Sequence, residues 1–291
     1  LRFMTRSWNG SWPPSSVPAE PLVRPEQEIW ERLGRWREAP LSCKELEQSY
    51  ASDLSEGLRQ ALAERLALQG AEALEALLRL IETQGPKKEL VSALGLIDHT
   101  RARDHLFGWL NDPEVDQAVL LRSLAIWAPR VKRAVIEQAL QGPQMDLRLA
   151  ALSLLAFQAP GLSADELLHL CSGALQDPRV EVVVATLRIL QRRDDDAIVV
   201  AIARLASEES VPIVAETALA ALGCIGTPAS IQALVERDSH LRNPVLVRSL
   251  ERQIQGQFRH LQDLAACIRT SQAEGRLSAE RASQLLALIS W

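Results

Sequence analysis

The side chains in this chain best suited to chemistry are five histidines, four cysteines and a run of three aspartates. Among His99, His105, His169, His240 and His260 no two stand four residues apart, the spacing that lets two imidazoles on one helix face hold a metal. His169 precedes Cys171 by two positions, about 200° around a helix, so the pair does not chelate one ion. Cys43, Cys171, Cys224 and Cys267 form no CxxC pair and read as free thiols of a reducing, cytoplasmic compartment. Cys171 and Cys224 fall at apolar helical positions, where a thiol serves as a small core residue. Asp194, Asp195 and Asp196 follow Arg192 and Arg193 between two helical stretches, and acids at a helix entry are explained by the helix dipole and solvation. No nucleophile, base and oxyanion partner occur at a usual spacing. No catalytic residue, metal site or cofactor is therefore assigned, and the chain reads as a non-enzyme sooner than as an enzyme.

The elements that would position any site repeat along the chain. Turns at Pro86, Pro113, Pro143, Pro178, Ser210 and Pro244 are separated by 27, 30, 35, 32 and 34 residues. Each interval holds two amphipathic helical stretches, too small to bury an apolar face alone, so the intervals must stack. The fold class expected is all-α, a right-handed α-α superhelix or α-solenoid, in about 291 residues that could otherwise make two globular domains. The residues are 47% apolar, with one Tyr and four Phe, which favours helix over strand. A net charge of −5 gives no attraction for a polyanion, so nucleic acid is not an expected partner. No apolar run reaches the roughly 18 residues of a membrane span. The first residue is Leu1, which fits a fragment, a processed product or an unusual start, and Arg2 and Arg6 would suit the flank of an upstream membrane anchor.

Four regions are expected. Residues 1–24 are rich in Pro and Ser and read as a disordered tail. Within it WNGSWPP carries Trp8 and Trp12, which serve as a recognition motif for another protein, fold back on the first helices, or merely remain exposed. Residues 25–53 read as a capping helix and linker, with Trp30 and Trp36 placed to cover the open end of the stack. Residues 54–256 form the solenoid, with helices at 54–68, 72–83, 88–97, 101–110, 114–127, 131–140, 145–157, 163–175, 179–192, 195–207, 211–223, 228–236 and 244–256. Residues 257–291 supply two closing helices, the second opened by Ser278 and Glu280, with Trp291 at the end. Shifts of 35 and 32 residues carry Leu152 and Leu155 onto Leu187 and Leu190 and then onto Leu219 and Leu222, which marks six core positions. Asp112 and Asp177 are expected to cap the following helices, each with Pro at the first helical position.

Two turns resemble the short HEAT-like repeat: Ala221-Leu222-Gly223-Cys224-Ile225-Gly226-Thr227-Pro228-Ala229 followed by Ile231 and Leu234, and Ala93-Leu94-Gly95-Leu96-Ile97 followed by Ala102 and Leu106. Gly223 and Gly226 would let the backbone turn at a helix end. The resemblance spans roughly 200 residues and implies architecture more than function. In that family the second helix of each pair lines the concave side. By that resemblance the partner-binding candidates are Gln117, Arg122, Asp146, Arg148, Glu181, Arg188, Glu216, Arg248 and Arg252. Their alternating signs suit a protein partner and not a phosphate backbone. A non-enzymatic scaffold or adaptor follows. The repeat is also similar to that of E/F-type phycobilin lyases, which implies as the alternative a lyase subunit or chromophore chaperone. There Arg148, Arg188 and Arg248 would converge on one groove to hold the propionates of a linear tetrapyrrole. A third reading is the soluble domain of a membrane-anchored interaction protein.

Overall fold

The structure is a computed structural model describing residues 25–207, 210–257 and 260–289. Expectations for the tail, including Trp8 and Trp12, and for Trp291 lie outside the described residues. All regular structure among these is helical. The helices are α1 (Pro25–Gly34), α2 (Cys43–Ser49), α3 (Glu56–Ala67), α4 (Leu74–Gln84), α5 (Lys88–Leu94), α6 (Thr100–Gly108), α7 (Gln117–Ser123), α8 (Arg133–Gln141), α9 (Met145–Gln158), α10 (Ala164–Leu175), α11 (Val180–Leu190), α12 (Asp196–Leu205), α13 (Pro212–Ile225), α14 (Pro228–Asp238), α15 (Pro244–Gln255), α16 (Leu261–Ala273) and α17 (Ala279–Ile289).

Two layers account for their packing. Every odd helix from α3 to α17 touches the next odd helix, and α2–α4, α8–α10, α10–α12, α12–α14 and α14–α16 touch in the same way on the other side. Within each pair the even helix packs on the odd helix that follows it, except α6, which rests on α5. The result is an α-solenoid of HEAT-like helix pairs. The layers meet over one continuous apolar core in which Leu152, Leu155, Leu187, Leu190, Leu219 and Leu222 are all at most 2% exposed. Each buried leucine contributes about 1.5–3 kcal/mol of transfer free energy, so the stack and not helix propensity holds these short helices.

Local chemistry explains where the elements differ from expectation. Residues 43–49, expected as linker, form α2, because Ser42 and Glu45 make a reciprocal capping box, and α2 then pairs with α3. The stretch 114–127 is not one helix. Asp112 accepts from the Glu114 amide at 2.9 Å in a local turn, and Asp116 takes the Ala118 and Val119 amides at 3.0 and 3.1 Å, so α7 starts only at Gln117. It ends at Ser123, and a 3-10 turn follows over Ala125–Arg130. Asp177 likewise closes a turn onto the Arg179 amide, and α11 begins at Val180, so neither Pro113 nor Pro178 is a first helical residue.

Gly226 takes the left-handed conformation, φ 64°, that ends α13. Gly223 does not turn the chain: it lies inside α13, and a β-carbon there would overlap the Gln253 side chain of α15. The matching Gly95 has the same role, since a β-carbon would sit 2.7 Å from the Ser123 α-carbon of α7. At the N-terminal end Leu33 is buried, whereas Trp30 and Trp36 remain 46% and 41% exposed. The Trp36 ring is covered instead by the Arg65 guanidinium at 4.5 Å.

Candidate functional site

All nine candidate residues lie on the odd layer, at α7, α9, α11, α13 and α15. Helical register puts Glu216 and Arg248 at one level on the successive odd helices α13 and α15, and Arg188 and Arg252 at another on α11 and α15, with α13 between them. The structure divides them by what they already bind.

Two of them are held by the repeat itself. Gln117 donates to the carbonyls of Trp109, Asp112 and Val115 at 2.9–3.3 Å and accepts from the Asn111 amide, so it organises the loop before its own helix. Arg148 donates to the Gly142 carbonyl at 2.7 Å and pairs with Asp177 of the next repeat. Asp177 has no side-chain exposure, and Arg179 engages it at 2.8 Å on both oxygens. Hydrogen bonds from Arg179, opposed by burial and reinforced by Arg148, hold its carboxyl well below the usual carboxylate range.

The others face outward. Arg122 and Asp146 oppose each other at 3.9 Å across α7 and α9, both more than half exposed. They line a groove of about 650 Å³ that crosses α3, α5, α7 and the start of α9. Glu56 and Gln60 line it from α3, Lys88 and Ser92 from α5, and Leu96, Val119, Ile126 and Met145 are among its apolar lining. Lys88 pairs with Asp116 at 3.0 Å. Arg248 and Arg252 line a second, shallower depression of about 510 Å³ with Val245, Glu251 and Gln255. Glu181 and Arg188 stand exposed on α11, and Glu216 is half-buried on α13.

Arg148, Arg188 and Arg248 do not converge. Arg148 is engaged at the start of α9, Arg188 lies near the end of α11, and Arg248 is on α15 with α13 in between. A pair of arginines positioned for two propionates is not formed by these three.

The apolar part of this face carries no charge pattern that would mark it in the sequence. Leu96, Ile126 and Phe157 occupy the same register at or just past the ends of α5, α7 and α9, and are 56%, 51% and 60% exposed. The following repeats place Arg192 and Cys224 there. Cys224 is accordingly exposed, not a core residue, while Cys171 is fully buried and its thiol is pushed up to about 12 by burial. Among the remaining chemical groups, the His99 imidazole accepts from the Arg101 amide and caps α6, and Arg193 pairs with Asp195 at 2.9 Å. Among the described residues no three His, Cys, Asp or Glu side chains are grouped to hold a metal. No described helix is long and apolar enough to cross a membrane.

No protein-family model matches the chain, and no curated protein matches it. The solved structures that match include the following two. The complex of CpcE and CpcF of phycocyanin lyase from Nostoc sp. PCC7120 aligns at 17% identity over 86% of this chain and 95% of that one, with a TM-score of 0.42. Human deoxyhypusine hydroxylase in complex with glycerol aligns at 17% identity over 80% of this chain and 96% of that one, with a TM-score of 0.36.

Proposed function

We propose that this chain is a non-enzymatic scaffold that takes a segment of another protein into the groove across α3, α5, α7 and α9. The observation that carries the reading is the row Leu96, Ile126 and Phe157, three large apolar side chains more than half exposed at one register of consecutive repeats. Single exposed hydrophobics are ordinary, but a row on a solenoid face with a groove beside it is a contact surface. Arg122, Asp146 and Glu56 around it supply a polar rim that sets orientation, and the apolar side chains supply the buried centre.

The test compares capture from lysate of the native host by the parent chain and by the Leu96→Asp/Ile126→Asp chain. One stoichiometric protein recovered by the parent and lost, on the order of tenfold or more, by the double variant is the expected result. Both chains should melt alike, because neither side chain is in the core. The eluate is also read by visible absorption, and a coloured eluate containing phycobiliprotein subunits would favour the chromophore-handling reading. Equal recovery by both chains removes the groove as the binding site.

A further inference from the structure

The groove lies beside the point at which the chain enters its first helix. Glu26, in the first turn of α1, accepts from the Ser55 amide at 2.7 Å and from the Ser55 hydroxyl at 2.8 Å. Ser55 immediately precedes α3, and the next residue, Glu56, is the first wall of the groove. The first described residues therefore lie at the groove's rim.

Their chemistry complements it. The segment carries Arg2, Arg6 and Arg24 against the single Glu20, while the whole chain is net −5, so the rest of the molecule is more acidic than the total suggests. The groove's lining carries four acids, Glu56, Glu89, Asp116 and Asp146, against two bases, Lys88 and Arg122. The segment also holds Trp8 and Trp12, and indoles are the side chains that most often anchor an apolar contact. Reach is ample: Trp12 is twelve residues from Arg24, about 40 Å at about 3.3 Å per residue, and two helix spacings from α3 to α7 are about 20 Å.

We infer that residues 1–24 are the groove's own ligand, with Trp8 and Trp12 covering Leu96 and Ile126 in cis, so that a partner enters by displacing them. The inference rests on the groove being a protein-binding site. Tethering gives the segment an effective concentration on the order of 1 mM, so a contact with a dissociation constant of about 0.1 mM keeps the groove about 90% covered. An incoming ligand then binds about tenfold more weakly than to an open groove.

Two experiments on the chain of 291 residues decide it. In the first, p-benzoylphenylalanine replaces Trp12, and the dilute protein is irradiated, digested and mapped by mass spectrometry. Links within one chain to peptides containing Leu96 or Ile126, abolished by Leu96→Asp/Ile126→Asp, are expected. Links between two chains would show a second copy in the groove, and links elsewhere or none would show it open; each of these overturns the inference. In the second, a synthetic peptide of residues 1–24 is titrated into the parent and into the Trp8→Ser/Trp12→Ser chain. The peptide should bind the variant about tenfold more tightly than the parent. Equal affinity, or no binding to the variant, overturns the inference. Neither readout depends on a partner from the host. A Trp12 link to the groove with nothing captured through Ile126 keeps this inference and removes the scaffold reading, whereas capture through Ile126 with no link does the reverse.

Discussion

Arg148 of α9 reaches into the next repeat and pairs with Asp177, whose carboxylate is fully buried and is also gripped by Arg179. A charge in that position is tolerable only because both oxygens are engaged. Replacing Asp177 with Asn should destabilise the protein by about 2–4 kcal/mol, less than a fully enclosed pair because both arginines keep some solvent contact. Arg148→Glu should be similarly harmful, while Arg188→Glu on the exposed face should stay within about 0.5 kcal/mol. Urea unfolding of the three variants checks this, and a stable Arg148→Glu chain would sink it. The sign with pH follows: the folded carboxyl titrates below its unfolded value, so its contribution is present above about pH 4 and fades as pH falls.

Tyr50 is the chain's single tyrosine, so an ultraviolet titration reads one group. Burial, and then its hydrogen bond to Glu89 at 2.8 Å, push the phenol above its usual range. Glu89 in turn is held below the ordinary carboxyl range: burial opposes this, but the Arg59 bond at 2.5 Å and the Tyr50 hydroxyl outweigh it. A phenol raised on folding stabilises the fold below its unfolded pKa of about 10, and that contribution is lost as pH rises above it. Tyrosinate absorbance should therefore appear only together with the loss of helical circular dichroism. Ionisation near pH 10 in a fully helical protein would contradict the Tyr50–Glu89 contact.

Gly95 and Gly223 permit close approach of neighbouring odd helices, so Gly223→Ala should not give the gain that removing a helical glycine usually brings. The new methyl meets Gln253, and a net loss of about 1–3 kcal/mol is expected. Leu187→Ala, a cavity in the core between layers, should cost about 2–5 kcal/mol. Thermal melts rank the two against Gly57→Ala, where a β-carbon meets nothing within 4 Å and the effect should be neutral or stabilising.

Thiol reactivity separates the cysteines. Cys224 is exposed at the end of α13 and should react with a disulfide reagent within the mixing phase, whereas Cys171 is fully buried, with its thiol pushed up to about 12, and should react only on unfolding. Cys43, which donates to the Gln69 side chain at 2.8 Å, and the half-buried Cys267 should fall between. Rapid labelling of Cys171 in the native protein would place α10 outside the core.

Much of the fold is legible in the sequence. The period of the turns, the apolar spacing of the helices and the six equivalent leucines specified a stack of helix pairs, because 3.6-residue periodicity states which side of each helix must be covered. The capping box Ser42–Glu45 is present in the sequence as well, but the short segment of α2 lacks the long apolar stripe that marks a helix. What periodicity cannot state is the partner of a polar residue some thirty positions away. Gln158 donates to the carbonyls of Ala128 and Val131, Arg193 to those of Ala159 and Leu162, and Gln257 to that of Gly223. All three occupy one register at or just past the ends of odd helices, a repeat signal interrupted at Ile225. Arg148 and Arg188 look alike in sequence, two arginines on odd helices. Stacking alone turned one inward onto a buried carboxylate and left the other to solvent, because each helix meets its neighbours at a distance and register set by the whole stack. The same stacking brought Leu96 and Ile126 together at one groove, whose wall residue Glu56 follows the Ser55 that Glu26 holds.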